Sequence, residues 1–237
     1  MNENDIHALS WDDGDKPYSQ RFGDHFYAQN DGRAETAHVF LAGNDLPQRW
    51  KSHSHFHIAE LGFGTGLNFL ETWRQWCQHR NPGQHLDFTS FEAYPLDVTA
   101  VIRAISVWPD LLELANIMAP RLPGLNHMPI AWKLDGQTTL TIVKAQALEG
   151  VGSWRKKAHA WYLDGFSPRC NRDMWSSQLM RQVCAHTHDT GTFATYTSAG
   201  WVRRNLQSSG FNVKKIPGHG TKRHMLTGVR EPSGSIS

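Results

Sequence analysis

An open α/β fold with a mostly parallel sheet is what this sequence predicts, and three observations predict it. From residue 56 onward, apolar segments alternate between strand-like and helix-like periods, the sequence form of parallel strands joined by crossover helices. The first strand, FHIAEL, breaks into a turn with three glycines in five positions and reopens as an apolar helix, GLNFLETWRQWCQ. Open α/β sheets present a helix N-terminus to nucleotide-like ligands at such a turn. The chain closes on two β-like runs, FNVKKI and KRHMLTGV, around the glycine turn PGHGT, so the sheet is expected to end in a hairpin.

The remaining elements follow in chain order. A chain of 237 residues suits one large domain with its own core. Residues 1–55 hold two blocks with spaced aromatics, PYSQRFGDHFY and ETAHVFLAGNDLPQRW, and read as a β-rich extension packed on the core domain of residues 56–230. Core packing accounts for most of those aromatics. After the glycine turn, Leu67, Leu70, Trp73 and Trp76 recur at helical spacing as a core-facing stripe. LDFTSFEAY is the second strand, and Pro95 lies near the start of a helix running to about Ser106, with an inserted helical piece near residues 108–118. Two β-like runs in MPIAWKLDGQTTLTIVKA are joined by Asp135-Gly136, a hairpin signal. AHAWYLDGF reads as a buried strand, DMWSSQLMRQVCAHT as a helix and GTFATYT as a strand. SAGWVRRNLQSSGF is a helix with Ser198 as N-cap and Gly210 past its end. The polar tail, residues 231–237, is expected to be disordered.

Composition narrows the class. The acidic N-terminus has no apolar signal core and no window of 18 apolar residues occurs, so a soluble, cytoplasmic protein without membrane contact is expected. Cys77, Cys170 and Cys184 form no C-x-x-C pair, which supports neither a disulfide framework nor a zinc ribbon. His53, His55 and His57 alternate, and His186 and His188 lie at a helix end, but no carboxylate or cysteine stands at matching spacing; these read as surface histidines, with no metal. Formal charge is only +2, yet residues 201–230 carry seven Lys or Arg and no acid, leaving 17 basic against 22 acidic groups elsewhere. A one-ended basic face is the footprint of phosphate contact, and equally that of a solvated surface.

Candidate site residues fall after successive strands, where open α/β sheets place their ligand groups. The dinucleotide fingerprint G-x-G-x-x-G fails because its third position is Leu67; the turn reads acid-x-G-x-G-x-G through Glu60, Gly62, Gly64 and Gly66. A purely structural turn is the competing explanation. Glu92 ends strand two, where a carboxylate can accept both hydroxyls of a ribose. Gln146 follows the third strand, where its amide can accept from an adenine amino group and donate to a ring nitrogen. Asp164 ends the most apolar strand and leads into GFSP at the carboxyl edge of the sheet.

The glycine turn resembles the first motif of S-adenosylmethionine-dependent methyltransferases, and the closing hairpin resembles their class I, Rossmann-like fold, whose last strand runs antiparallel. Together, ELGFGTGLNFL, FEAYPL, AWYLDGFSP with Asn171 and DMW following, and the closing G-x-G-x-K-R-x-M-L resemble the tRNA (5-aminomethyl-2-thiouridine) methyltransferase family, represented by the methyltransferase half of the bifunctional enzyme MnmC. PYS-x-x-F-x-D-x-x-Y and VFL-x-x-N-x-LP-x-RW extend the likeness to roughly residues 11–228. The resemblance implies N-methylation, by S-adenosyl-L-methionine, of the aminomethyl group of the tRNA wobble uridine in the anticodon region. It implies that Glu60, Gly62, Gly64, Gly66, Asn68, Glu92 and Gln146 hold the cofactor. Asp164 and Phe166 would form the catalytic wall. A carboxylate at 164 would orient the amine and take up its proton, and Phe166 would stack on a base or face the sulfonium. Arg203, Arg204, Lys222 and Arg223 would face the RNA. The chain ends soon after its last strand, so the flavin-dependent oxidase half is not expected in it. Departures occur at Ala145-Gln146, usually Gly-Asp, at Arg169-Cys170-Asn171-Arg172, usually A-K-N-P, and at His219 and His224. They leave two alternatives open: a methyltransferase for a small-molecule amine, and a non-catalytic RNA-binding homologue.

Overall fold

The computed structural model describes residues 9–12, 15–27, 31–124 and 130–232. The first block of the N-terminal region forms a three-stranded antiparallel sheet of β1 (Leu9–Asp12), β2 (Lys16–Ser19) and β3 (Asp24–His25). The second block is helical, against the expectation of a β-rich extension. Asp31 caps α1 (Gly32–Glu35) by accepting the Ala34 N–H at 2.9 Å, and the chain continues through a π-helical stretch, Thr36–Leu41, and short 3-10 turns at Ala42–Asn44 and Arg49–Ser52. The cause is legible in the burial: Val39, Phe40 and Leu41 are all buried, and consecutive residues of a strand would point to opposite faces. A wide helical turn lays all three into the same core as Phe56 and Ile58.

The main sheet has eight strands: β4 (His55–Leu61), β5 (His85–Glu92), β6 (Ile130–Asp135), β7 (Thr138–Lys144), β8 (Ala158–Leu163), β9 (Thr187–Thr195), β10 (Phe211–Pro217) and β11 (His224–Arg230). Their order is β10-β11-β9-β8-β4-β5-β7-β6. Neighbours from β9 to β7 run parallel, whereas β11 pairs antiparallel with both β9 and β10. The hairpin predicted at Asp135-Gly136 adds β6 as a further antiparallel edge strand. Crossover helices are α2 (Leu67–His79), α3 (Val98–Ile105), α4 (Pro109–Met118), α5 (Ala147–Ser153), α6 (Ser177–Ala185) and α7 (Gly200–Ser208).

Several ends differ from the sequence reading for local reasons. Asp97, not Pro95, starts α3, because its carboxylate accepts the Ala100 N–H at 2.7 Å. The DMW residues form a 3-10 turn, and Ser176 then caps α6 by accepting from Leu179 N. Ala199 occupies the N-cap of α7 and no side chain caps it, so Ser198 does not play that role. Residues 233–237 of the tail expected to be disordered lie outside the described residues.

Alternation along β4 divides the core. Phe56 and Ile58 join the cluster that holds Leu70, Trp73 and Trp76 of α2, while Ala59 and Leu61 join the cluster under α6 and α7. His57 belongs to that interior too, contrary to the expectation of a surface histidine: it is 5% exposed and hydrogen-bonds Thr89 Oγ1 at 2.9 Å. Burial first, against the opposing charge of Asp87, pushes its imidazole down to about 3, so it is neutral. Among the described residues no helix is long and apolar enough to cross a membrane, and no group of three metal-ligating side chains gathers.

The N-terminal segment is tied to the core by charge as well as packing. Glu71 of α2 is 1% exposed and accepts from Arg33 Nε at 2.9 Å and Arg74 Nη2 at 2.6 Å, while both Arg33 terminal nitrogens hold Asp110 at 2.8 Å. Removing a buried carboxylate strands its cations. Glu71→Ala is expected to lower the unfolding free energy by roughly 2–4 kcal/mol in a urea titration. An unchanged midpoint would show that Asp110 alone secures Arg33.

Candidate active site

The carboxyl ends of β4 and β8 lie side by side, and the chain leaves them toward opposite edges of the sheet. Such a switch point opens a crevice above the strand ends. Here a cavity of about 1050 Å³ occupies it, floored by the glycine turn after β4 and walled by the ends of β5 and β8 and by N-terminal residues between 19 and 27 and between 31 and 36.

The turn needs its glycines for shape. Gly62, Gly64 and Gly66 have φ of 83°, 52° and 77°, and a Cβ on Gly66 would come within 2.9 Å of the Phe63 ring. Their N–H groups, however, are used internally: Gly62 donates to Phe91 O at 2.8 Å, Gly66 to Phe63 O at 2.8 Å and Gly64 to Glu92 Oε2 at 3.0 Å. The turn therefore offers a ligand room more than donors. Donors are concentrated at the start of α2, which has Gly66 at its N-cap and no capping side chain.

Three carboxylates surround this floor. Glu92 is anchored at both oxygens, by Gly64 N–H and, at 2.7 Å, by Tyr94 N–H, which leaves its outward lone pairs for hydroxyl donors. Glu60 does not line the cavity; it is fully buried, accepting from Ser90 Oγ at 2.7 Å and Asn68 Nδ2 at 3.0 Å. Burial pushes its carboxyl well above the usual range, opposed by those two hydrogen bonds. Asp164, half-buried in the cavity wall, accepts from Asn68 Nδ2 at 2.7 Å. Desolvation pushes it up to about 7, opposed chiefly by the Asn68 hydrogen bond.

The acceptor side is aromatic and charged. Phe166 stacks on Phe22, with ring centroids 4.4 Å apart, and meets Phe26 edge-on at 5.1 Å. Its loop is pinned by Trp175 Nε1 donating to Phe166 O at 3.1 Å, Tyr196 OH donating to Gly165 O at 2.7 Å and Ser167 N–H donating to Asp24 at 3.0 Å. Lys222, expected to face the RNA, turns into the cavity: its ammonium is 2.7 Å from Glu35 and 4.0 Å from the Tyr196 ring centroid. At the opposite end, Gln146 donates to Tyr94 Oη at 3.0 Å, and Arg21 donates to the same oxygen at 2.8 Å. Arg203, Arg204 and Arg223 are exposed outside the cavity.

Of the residues singled out in the sequence, Gly62, Gly64, Asn68, Glu92, Gln146, Asp164 and Phe166 line one cavity. Sequence reasoning missed Phe22, Phe26, Arg21 and Tyr94, which line the same space. The motif PYS-x-x-F-x-D-x-x-Y contains Phe22 and Asp24, and spaced aromatics of this kind are as consistent with core packing as with a ligand wall.

Strand order, antiparallel closing strand and switch-point cavity define a class I, Rossmann-like methyltransferase fold. A family profile described as S-adenosyl-L-methionine-dependent methyltransferase matches residues 109–231, just over half of the sequence. The chain belongs to that family, and S-adenosyl-L-methionine is its methyl donor. It is similar to the tRNA 5-methylaminomethyl-2-thiouridine biosynthesis bifunctional protein MnmC of Marinobacter nauticus, 41% identical over 97% of this chain and 37% of the relative. The protein of the same name from Methylobacillus flagellatus is 40% identical over 93% of this chain and 34% of its own length. The chain thus spans about a third of the length of these relatives. Among solved structures, MnmC2 from Aquifex aeolicus shares the fold with a TM-score of 0.77 at 18% identity, covering 95% of this chain and 72% of that one.

A carboxyl with raised proton affinity makes stability depend on pH. Between about pH 4 and pH 7 the folded chain keeps a proton on Asp164 that the unfolded chain has released, so this group's contribution falls as pH rises through that window. Asp164→Asn is expected to raise the unfolding free energy at pH 8 by roughly 1–3 kcal/mol and to leave it unchanged near pH 4. Paired urea titrations at the two pH values measure this; equal effects at both would contradict it.

Proposed function

We propose that this chain methylates the aminomethyl nitrogen of 5-aminomethyl-(2-thio)uridine at the wobble position of tRNA. The observation that carries the reading is Asp164, a carboxylate of raised proton affinity facing a cavity between the glycine turn and the Phe166–Phe22 stack. Support comes from relatives about 40% identical over nearly the whole chain, named for the biosynthesis of 5-methylaminomethyl-2-thiouridine in tRNA, the product of such a methylation. The cytoplasm would be its place of action, since its substrate resides there.

The residues fit the cofactor. Glu92, with both oxygens fixed by backbone donors, would hold ribose hydroxyls; Gln146 would meet the adenine; the uncapped start of α2 would face the carboxylate. Gly62, Gly64 and Gly66 leave space where side chains would intrude. Glu60 acts at one remove, by bracing Asn68. When bound, S-adenosyl-L-methionine supplies an electrophilic methyl group on a sulfonium.

Asp164 orients the acceptor amine and takes up its proton at Oδ1, the oxygen not held by Asn68. Phe166 and Phe22 give the uracil a stacking surface and exclude water from the nitrogen. An anticodon base is unpaired, so it reaches the cavity without duplex melting. Arg203, Arg204 and Arg223 would take phosphates along the rim, whereas Lys222, paired with Glu35, belongs to the acceptor end of the cavity.

With tRNA lacking the final wobble methylation, Asp164→Ala is expected to lower turnover at least ~100-fold. Calorimetry with S-adenosylhomocysteine should show cofactor affinity within about threefold of wild type. Normal methyl transfer by this variant would remove Asp164 from the mechanism. Replacing Arg203 and Arg204 by Glu should weaken tRNA binding and reduce its log–log salt slope by about two. A free small amine as the true acceptor would show neither the binding nor the slope.

A further inference from the structure

We infer that Asn68 is a positioning residue for Asp164: its amide, locked by Thr36 and Glu60, holds one oxygen of Asp164 inward and turns the other toward the acceptor nitrogen. This rests on the reading of Asp164 as the group that takes the acceptor's proton.

The hydrogen-bond geometry leaves Asn68 one orientation. A primary amide has two N–H donors, and Nδ2 lies 3.0 Å from Glu60 Oε1 and 2.7 Å from Asp164 Oδ2. Its Oδ1 accepts from Thr36 Oγ1 at 2.7 Å. Flipping the amide would set its oxygen against two carboxylate oxygens, so the assignment follows from the partners themselves. Thr36 is 2% exposed and Asn68 9%, which keeps water from substituting for either. With both hydrogens of the amide engaged inside the protein, none remains for a ligand. Asn68 therefore serves the cofactor site only through its neighbours, although the sequence motif had placed it among the cofactor contacts.

Four other groups face Asp164: Glu60 on β4, Glu35 on α1, Lys222 in the loop after β10, and Tyr196 after β9. Glu35 raises its proton affinity and Lys222 lowers it. After burial itself, the Asn68 hydrogen bond is the largest influence, and it favours the ionised carboxylate. A base that must be ionised to accept a proton, yet sits in a desolvated wall, depends first on that donor and next on the backbone N–H of Gly165. Glu60 completes the device by holding the second amide hydrogen, with Ser90 in turn holding Glu60.

The test uses the full chain, tRNA lacking the final wobble methylation, and kcat followed from about pH 6 to pH 9.5 for wild type, Asn68→Ala, Thr36→Val and Asp164→Asn. Asn68→Ala should move the acid limb of the profile upward by about one unit, so that kcat falls roughly fivefold at pH 7 and recovers toward wild type at pH 9. Thr36→Val, which frees the amide without removing it, should move the limb the same way by less. S-adenosylhomocysteine affinity should stay within about threefold in both. An unmoved limb in both variants overturns the inference, as does a tenfold or larger loss of cofactor affinity, which would make Asn68 a direct ligand. If Asn68→Ala fails to fold by circular dichroism, Thr36→Val decides. The underlying reading fails separately: Asp164→Asn would then turn over normally across the whole pH range.

Discussion

Two carboxylates, Glu60 and Asp164, meet where β4 and β8 end, and one amide stands between them. Neither charge could be held there without donors, since burial raises the cost of ionising both. The position of Asn68 is therefore a constraint on the backbone. It sits in the first turn of α2, so α2 must begin directly above the end of β4, and the connection has only Gly62 to Gly66 in which to reverse. Left-handed conformations at three of those five residues accomplish the reversal. The glycines thus serve the placement of Asn68 and α2 as much as any ligand, which is consistent with their own N–H groups being satisfied within the protein.

The N-terminal segment is the second half of the site. Thr36 locks the Asn68 amide, Glu35 pairs with Lys222, and Phe22 and Phe26 cover Phe166. All of these come from residues that the core sheet does not contain. Arg33 links the same segment to α2 and α4 through Glu71 and Asp110, so the scaffold that aligns the acceptor wall is also the scaffold that closes the cavity. A disturbance of that ion-paired tie would reach the site through Glu35 and Thr36, which flank it in the same helical run.

What was legible in the sequence was local. Strand, glycine turn and helix follow one another between residues 55 and 79, and the Asp135-Gly136 hairpin and the strand leading into Asp164 are similarly self-contained. What escaped depended on distant partners. His57 looked like one of three surface histidines, but its strand is flanked by β5 and β8, so Thr89, 32 residues away, decides its burial. Lys222 looked like part of a basic face, yet Glu35, 187 residues earlier, draws it inward. Helicity of residues 32–44 was hidden because the apolar run Val39–Leu41 gives no clear period until the core it joins is known.

The departure at Gln146 can be understood from the same crowding of charge. Glu60, Glu92 and Asp164 already converge on the turn, and burial leaves Glu60 and Asp164 each raised partly by neighbouring carboxylates. A fourth acid after β7 would add to that repulsion, whereas an amide adds none. Gln146 Nε2 donates to Tyr94 Oη, which also receives Arg21. With one hydrogen of its nitrogen committed to Tyr94, the amide keeps its carbonyl and its second hydrogen to offer, which suit an adenine amino group and a ring nitrogen. In the proposed cofactor site, Tyr94 and Arg21 thus do for Gln146 what Thr36 and Glu60 do for Asn68: a neutral amide is oriented by its neighbours so that charge need not be.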